Sequence, residues 1–265
     1  MQVRTTWLSA AFLLALTRAR ADDHRVTRDA HAGAAPEARL APLAGAWLEP
    51  LQLPNGKLAY VAPPIGAREP RPLLVAVHGA GDRAEWACGG WRLATNAYAF
   101  VVCPQGLKFD STRFAWDSAR TIERSVREAL LAVRSRYAEY VAPGPVIYLG
   151  FSQGATLAGP TLLAEPQRFS AAALAEGGYA LSGDRAFLRQ LRDAGTTRVM
   201  LVCGTAGCFR NAALDKKNFD RAGIELFISG DAHAGHNLNR EMQTALRKSF
   251  PAFVSGLPAW RDFSG

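Results

Sequence analysis

The sequence predicts an α/β fold in which a mostly parallel central sheet carries helices on both faces. Short apolar runs alternate with segments whose apolar residues recur at helical spacing, as in strand–helix–strand units. The run at 73–77 is apolar at every position, which is typical of a central parallel strand buried on both faces. With 265 residues and 49% apolar content, the chain can form one large domain with a full core.

The first 45 residues differ in composition from the rest of the chain. Residues 1–21 begin with a positive charge, continue with a mostly apolar stretch and end in Ala-Arg-Ala, which predicts a secretory signal peptide. Residues 22–45 are rich in Ala, Arg, Asp and Pro without periodicity, so we expect a mobile leader after cleavage. Residues 46–265 then form the domain, and the signal predicts a secreted or periplasmic location.

The elements can be placed in chain order from the same patterns. Strands are predicted at 48–53, 58–61, 73–77, 98–103, 146–149, 169–175, 198–203 and 224–229. Helices are predicted at 118–137, 155–163, 184–194, 211–222 and 238–250. Pro54-Asn55-Gly56 separates the first two strands and predicts an antiparallel N-terminal hairpin, while Asp184 is a candidate helix N-cap. Functional groups are expected at the carboxyl ends of the parallel strands.

Cysteine spacing bears on the redox state of an exported chain. Cys88, Cys103, Cys203 and Cys208 allow three pairings. In an oxidising compartment we favour Cys88–Cys103 with Cys203–Cys208; four free thiols are the alternative, because spacing does not fix the pairing. No Cys-x-x-Cys or clustered histidine pattern accompanies these residues, so no metal site is predicted.

The charge pattern gives no sign of a nucleic-acid partner. The formal net charge is +8, and removing the three arginines of the signal leaves about +5 (8 − 3). The basic residues are scattered and form no Lys/Arg run, as expected of a solvated basic surface. No segment after the signal approaches transmembrane length, so no stable membrane insertion is expected once the signal is removed.

The most informative stretch is Gly150-Phe151-Ser152-Gln153-Gly154, which lies between a predicted strand and a predicted helix. A Gly-x-Ser-x-Gly in that context is typical of a nucleophile elbow, a tight turn that lifts the serine hydroxyl to the end of the sheet. Ser152 then needs a base, because a serine hydroxyl at its free pKa is a poor nucleophile. We favour His236 over His233, since Ala234-Gly235 lets the backbone turn the ring toward the serine.

Acyl transfer also requires donors for the oxyanion. The backbone N–H of Gln153, directly after the nucleophile, is one candidate. The second is expected in the loop after the strand at 73–77, where His78-Gly79-Ala80-Gly81 allows close approach and Ala80 N–H is our candidate. We interpret His78 as a ring that holds this loop by hydrogen bonds rather than as a catalytic group.

Three segments, in this order and spacing, resemble the α/β-hydrolase superfamily: His78-Gly79-Ala80-Gly81-Asp82, the elbow at 150–154 and Gly235-His236. The resemblance covers about residues 47–255 and is nearest to the phospholipase/carboxylesterase and feruloyl- or dienelactone-type esterase branches. It implies an α/β-hydrolase fold and a serine esterase acting on a small-molecule or polymeric ester, with no cofactor and no metal. Such families place a catalytic Asp after the strand at 198–203 in a Gly-x-x-Asp pattern, whereas this chain has Gly204-Thr205-Ala206-Gly207.

The missing Asp leaves three hypotheses for the acid. Glu176 follows the preceding strand and stands before two glycines, a position that the acid occupies in some members of the superfamily, and we favour it. Asp231 or Asp215 could substitute for it. The third hypothesis is that no acid exists, which leaves a Ser–His dyad or a catalytically impaired fold retained as a binding module.

A peptidase is a further alternative to the esterase, because it would use the same serine nucleophile.

Three tryptophans are candidates for substrate binding. Trp86 and Trp91 flank Cys88-Gly89-Gly90 after the oxyanion loop, and Trp116 follows another strand end. Loops at these positions overhang the expected pocket, so the indoles could bind an aromatic or acyl group; loop packing is the alternative. The sequence has no long insertion of the kind that forms a lid over an active site, which favours an open pocket.

Overall fold

An eight-stranded sheet forms the centre of the domain in the computed structural model, which describes residues 39–164 and 169–265. Its strands are β1 (Glu49–Gln52), β2 (Leu58–Ala62), β3 (Leu73–Val77), β4 (Phe100–Pro104), β7 (Val146–Phe151), β8 (Phe169–Ala175), β9 (Arg198–Cys203) and β10 (Glu225–Gly230). A separate hairpin is formed by β5 (Leu107–Lys108) and β6 (Phe114–Ala115). The order in the sheet is β1-β2-β4-β3-β7-β8-β9-β10; β2 runs antiparallel to both neighbours and the remaining pairs are parallel.

Helices cover both faces of this sheet. They are α1 (Ala84–Ala94), α2 (Ala119–Arg136), α3 (Gln153–Thr156), α4 (Gly159–Leu163), α5 (Tyr179–Gly183), α6 (Arg185–Asp193), α7 (Ala206–Ala222) and α8 (Arg240–Val254). Side chains of β3 alternate between two cores, because successive residues of a strand point to opposite faces. Val75 belongs to the core that also contains residues of α2, α6 and α7, whereas Ala76 belongs to the core that contains residues of α1 and α8. The predicted α/β sheet and the N-terminal antiparallel hairpin are both confirmed.

Two local differences from the sequence prediction have clear causes. The helix predicted at 155–163 is interrupted, because Pro160 has no N–H and its ring would clash with the carbonyl of Thr156, the last residue of α3. Helix α1 was not predicted, since Gly89-Gly90 in its middle weakens the helical pattern. Asp184 caps α6 as predicted, accepting hydrogen bonds from the next residues' amides.

Both favoured disulfides are present, which confirms that prediction. Cys88 of α1 pairs with Cys103 of β4, with Cα atoms 5.8 Å apart. Cys203, the last residue of β9, pairs with Cys208 in the first turn of α7, with Cα atoms 5.3 Å apart. The two bridges therefore join a strand to a helix at separate places in the domain.

Packing begins before the predicted domain start at residue 46. Leu40 and Leu43 donate their N–H groups to the carbonyls of Arg68 and Ala67, and the Leu43 side chain is buried. The predicted signal peptide and the rest of the leader, up to residue 38, lie outside the described residues. Within the part of the chain that the structure describes, no helix combines the length and apolar character needed to cross a bilayer.

Candidate active site

Ser152 stands on a sharp turn between β7 and α3, at the carboxyl end of the sheet. Its backbone has φ 51° and ψ −112°, a conformation that costs a non-glycine residue about 1–3 kcal/mol. Glycines on both sides allow the turn: a Cβ on Gly150 would lie 2.8 Å from the Ala155 nitrogen, and one on Gly154 would lie 2.8 Å from the Val77 carbonyl carbon. Ser152 N–H donates to the Ala175 carbonyl at 2.8 Å, which ties the turn to β8.

The structure brings His236, and not His233, to this serine. His236 Nε2 lies 2.8 Å from Ser152 Oγ, a hydrogen-bonding distance. The loop between β10 and α8 turns at Gly235, whose φ of 69° is in the left-handed region that glycine adopts freely. The His236 side chain is 58% exposed, so this face of the site is open to solvent. His233 is exposed and its N–H donates to Asp231 Oδ1 instead.

Glu176 is the carboxylate that meets the histidine. Its Oε2 lies 3.4 Å from His236 Nδ1, and its side chain is only 5% exposed. Its other oxygen, Oε1, accepts a hydrogen bond from the Gly204 backbone N–H. Like Ser152, Glu176 has a positive φ, here 48°, which turns the chain sharply at the end of β8. A buried carboxylate with both oxygens directed at donors fits the part of an orienting acid.

The other proposed acids are engaged elsewhere. Asp231 Oδ1 accepts from the His233 N–H, and Asp215 Oδ2 accepts from the Ser182 hydroxyl at 2.6 Å. Gly207, which occupies the position expected for the family's Asp, lies in the first turn of α7. The contact between Glu176 and His236 therefore matches the first of the three hypotheses for the acid.

The loop after β3 lies directly against the nucleophile. A Cβ on Gly79 would approach Ser152 Cβ to 3.0 Å, so glycine is needed for this close contact. The candidate oxyanion donors, the backbone N–H groups of Ala80 and Gln153, have no protein acceptor among residues 39–164 and 169–265. Both amides therefore remain available to a ligand beside the serine.

His78 lies in this loop, and both of its ring nitrogens are bonded to backbone groups of Gly79 and Gly106. The ring is fully buried, and burial lowers the pKa of the His78 imidazole. Its Nδ1–H donates to the Gly79 carbonyl at 2.7 Å, and Nε2 accepts from the Gly106 N–H at 3.0 Å. These bonds are those of a neutral ring that fixes the loop, in agreement with the role predicted for His78 from the sequence.

The three tryptophans occupy very different environments. Trp91 is 1% exposed in the core beneath α1, so it does not line a surface pocket. Trp86 is 61% exposed on the same helix and remains accessible to a ligand. Trp116 is 4% exposed and is fully used in packing: its indole N–H donates to the His78 carbonyl at 3.0 Å. Trp91 and Trp116 are therefore packing residues, which was the alternative to substrate binding for these indoles.

A pair of hydrogen bonds joins Trp116 to the elbow, a link that the sequence did not predict. The side-chain amide of Gln153 accepts from the Trp116 backbone N–H at 2.9 Å and donates to the Trp116 carbonyl at 2.8 Å. The backbone of Trp116 thereby joins α3, while its indole holds the oxyanion loop at His78. Trp116 is consequently placed to fix the distance between the two candidate oxyanion donors.

We expect Trp116→Phe to lower kcat for ester hydrolysis by about tenfold with little change in KM. Phenylalanine retains most of the buried apolar volume but loses the indole N–H, so the oxyanion loop is held less tightly. Steady-state kinetics on a soluble ester measure this, with Trp47→Phe as the matched control on an exposed indole. A raised KM with unchanged kcat for Trp116→Phe would instead indicate contact with substrate.

Solved structures of similar shape share this fold. An uncharacterized protein from Bacillus cereus ATCC 10987 is 18% identical with TM-score 0.56, covering 71% of this chain and 61% of that one, so this chain spans about three fifths of that protein. A carboxylesterase from Mesorhizobium loti is 16% identical with TM-score 0.54, covering 76% and 99%. A ferulic acid esterase is 15% identical with TM-score 0.55, covering 78% and 96%.

These structural neighbours and the strand order identify the architecture as the α/β-hydrolase fold. No family model matches the sequence, and no curated protein matches it either. Among the described residues, no group of three or more His, Cys, Asp or Glu side chains is arranged to hold a metal ion. Within this fold, Ser152, His236 and Glu176 form a continuous chain of contacts at the carboxyl end of the sheet.

Proposed function

We propose that this protein is a serine hydrolase that cleaves carboxylic esters through an acyl-enzyme on Ser152. The observation that carries the proposal is the 2.8 Å contact between Ser152 Oγ and His236 Nε2 on a strained elbow. A strained conformation is kept only where the surrounding structure enforces it, and such positions cluster at functional sites. The carboxylesterase and the ferulic acid esterase among the structural neighbours support an ester as the substrate.

In the proposed mechanism, His236 Nε2 removes the proton from Ser152 Oγ as the oxygen attacks the ester carbonyl carbon. The carbonyl π electrons move onto oxygen, and the backbone N–H groups of Ala80 and Gln153 stabilise that charge. The intermediate collapses, the C–O bond to the alcohol breaks, and His236 donates its proton to the departing oxygen. Water then attacks the acyl-enzyme by the same route and releases the acid and free Ser152.

Glu176 orients the base in this proposal. Its Oε2, 3.4 Å from His236 Nδ1, favours a proton on that nitrogen, which keeps the unprotonated Nε2 directed at Ser152 and stabilises the imidazolium that forms in each step. Because Glu176 is almost fully buried and also bound by the Gly204 N–H, it can hold this position without solvent competition. Secretion through the N-terminal signal remains part of the proposal, and the two disulfides support an oxidising compartment.

A fluorophosphonate probe tests the nucleophile on the purified chain. We expect covalent labelling of the wild type and no labelling of Ser152→Ala, because the probe reacts with a serine activated by an adjacent base. Peptide mapping of the labelled protein should find the adduct on Ser152. A folded wild type that takes up no label would contradict the proposal and favour the alternative, a binding module on a hydrolase fold.

The bond that is cleaved can be tested separately with matched substrates. The substrates are p-nitrophenyl acetate and butyrate and the matching p-nitroanilides of the same two acids. Each would be assayed with wild type and with Ser152→Ala. Ester turnover that disappears in Ser152→Ala, with little anilide turnover, supports the esterase. Comparable anilide cleavage would instead identify a peptidase-like activity of the same serine.

A further inference from the structure

The turn between β9 and α7 replaces the segment in which the family's Asp is expected. Gly204 and Thr205 connect the strand to the helix, and the Cys203–Cys208 disulfide joins the two ends of the turn. Thr205 adds a second closure, because its Oγ1 accepts from the Cys208 N–H at 3.2 Å as the N-cap of α7. The turn is therefore closed by a covalent bond and by a helix cap, although it supplies no carboxylate.

One residue of this turn, Gly204, is hydrogen-bonded both to the acid and to the loop that carries the base. Gly204 N–H donates to Glu176 Oε1, and the Gly204 carbonyl accepts from Gly235 N–H at 2.8 Å. Gly235 immediately precedes His236. The backbone N–H and carbonyl of Gly204 are therefore bonded to the segments at both ends of the contact between Glu176 Oε2 and His236 Nδ1.

Residue 204 has no space for a side chain, because the turn packs directly against the Gly235 loop and against Met242 of α8. A Cβ there would lie 2.9 Å from the Gly235 carbonyl carbon and 3.2 Å from Met242 Cε. Neighbouring packing is similarly tight, since a Cβ on Gly230 would lie 2.7 Å from the Cys203 nitrogen. A small displacement of Cys203 or Gly204 is consequently transmitted to the histidine loop.

We propose that the Cys203–Cys208 disulfide is a positioning element that holds Glu176 and the His236 loop in their working geometry. The inference rests on the proposed function, because Glu176 and His236 are assigned there. The disulfide does not touch the reacting atoms; it acts through the backbone N–H and carbonyl of Gly204. In effect, the turn supports a carboxylate that comes from the end of β8.

Removal of this disulfide should therefore affect turnover more than binding. Without the covalent link, the Thr205 cap and the end of β9 still hold the turn, but the Gly204 N–H can shift away from Glu176. A misorientation of about 1 Å at a catalytic group can cost on the order of 100-fold in rate. We expect Cys203→Ala/Cys208→Ala to lower kcat by about 10- to 100-fold with KM within about twofold of wild type.

The chain provides a matched control in its other disulfide. Cys88→Ala/Cys103→Ala removes a bridge of sequence separation 15, against 5 for Cys203–Cys208. The longer loop should contribute more to global stability. We thus expect Cys88→Ala/Cys103→Ala to lower Tm more but to retain kcat within about twofold, measured well below both Tm values. Equal kcat losses in the two double variants would overturn the positioning role.

A double-mutant cycle tests whether the disulfide acts through Glu176. In the Glu176→Gln background, removing Cys203–Cys208 should lower kcat by a clearly smaller factor than in wild type, because the part of the effect that passes through Glu176 is already lost. Full multiplication of the two effects would contradict the inference. If the double variant does not fold, wild type is partially reduced with dithiothreitol and alkylated, and kcat is related to the alkylated pair located by mass spectrometry.

Failure of the inference is distinguishable from failure of the proposed function. Unchanged kcat in Cys203→Ala/Cys208→Ala, with activity still abolished by Ser152→Ala, would remove the disulfide from the mechanism and leave the hydrolase intact. Activity that survives in Ser152→Ala would overturn the proposed function itself.

Discussion

Replacement of Ser152 or His236 by alanine is expected to lower kcat for ester hydrolysis by about 10⁵- to 10⁶-fold. The double variant Ser152→Ala/His236→Ala should be no slower than the worse single variant. Residues that act as one unit are strongly non-additive, because neither performs its step without the other. The 2.8 Å contact between Ser152 Oγ and His236 Nε2 makes these two residues such a unit.

The remaining activity of these variants should still exceed that of the uncatalysed reaction. The backbone N–H groups of Ala80 and Gln153 are unaffected by either substitution, and residual catalysis of about 10³-fold over water is expected from oxyanion stabilisation and binding. Single-turnover measurements with an activated ester and a large excess of enzyme would detect it.

His233→Ala is the matched control for His236→Ala. His233 lies in the same loop, three residues away, but is exposed, and its backbone N–H donates to Asp231 Oδ1. Its replacement should leave kcat within about twofold of wild type, because no group of the proposed mechanism contacts it. If His233→Ala and His236→Ala caused the same loss, the effect would come from the loop and not from the base.

The sequence predicted those parts of the fold that depend on local pattern. The apolar run at 73–77 indicated a buried strand, and the glycines around Ser152 indicated a turn that only small neighbours permit. The pairing of Cys203 with Cys208 also agrees with the favoured set, although the spacing alone left three pairings open. Such features are set by residues close together in the chain.

Other features depend on contacts between distant segments and had no local signal. The sequence placed Trp116 in an overhanging loop, but its backbone pairs with Gln153, 37 residues away, and its indole is buried. Trp91 likewise lies on α1, which was not predicted because its glycine pair weakens the helical pattern. The contacts of Gly204 were also not predicted: the departure from the family's pattern at Gly207 was visible in the sequence, but the bonds from Gly204 to Glu176 and Gly235 were not.

Replacement of Glu176 by glutamine is expected to lower kcat by about 10³- to 10⁴-fold with KM little changed. Glutamine has nearly the same shape, and its carbonyl oxygen can still accept from the Gly204 N–H. Its NH₂ group would then face His236 Nδ1 and favour the tautomer whose proton is on Nε2. That proton faces Ser152, so the imidazole can no longer act as the base.

The competing carboxylates provide the controls for Glu176→Gln. Asp231→Asn and Asp215→Asn should each retain kcat within about twofold, because their side chains bind His233 N–H and the Ser182 hydroxyl, not His236. A loss confined to Asp231→Asn or Asp215→Asn would move the acid to that residue. Unchanged kcat in all three variants would leave a Ser–His dyad. In that case the buried Glu176 would serve only to anchor the Gly204 turn, and Glu176→Gln should lower Tm without affecting turnover.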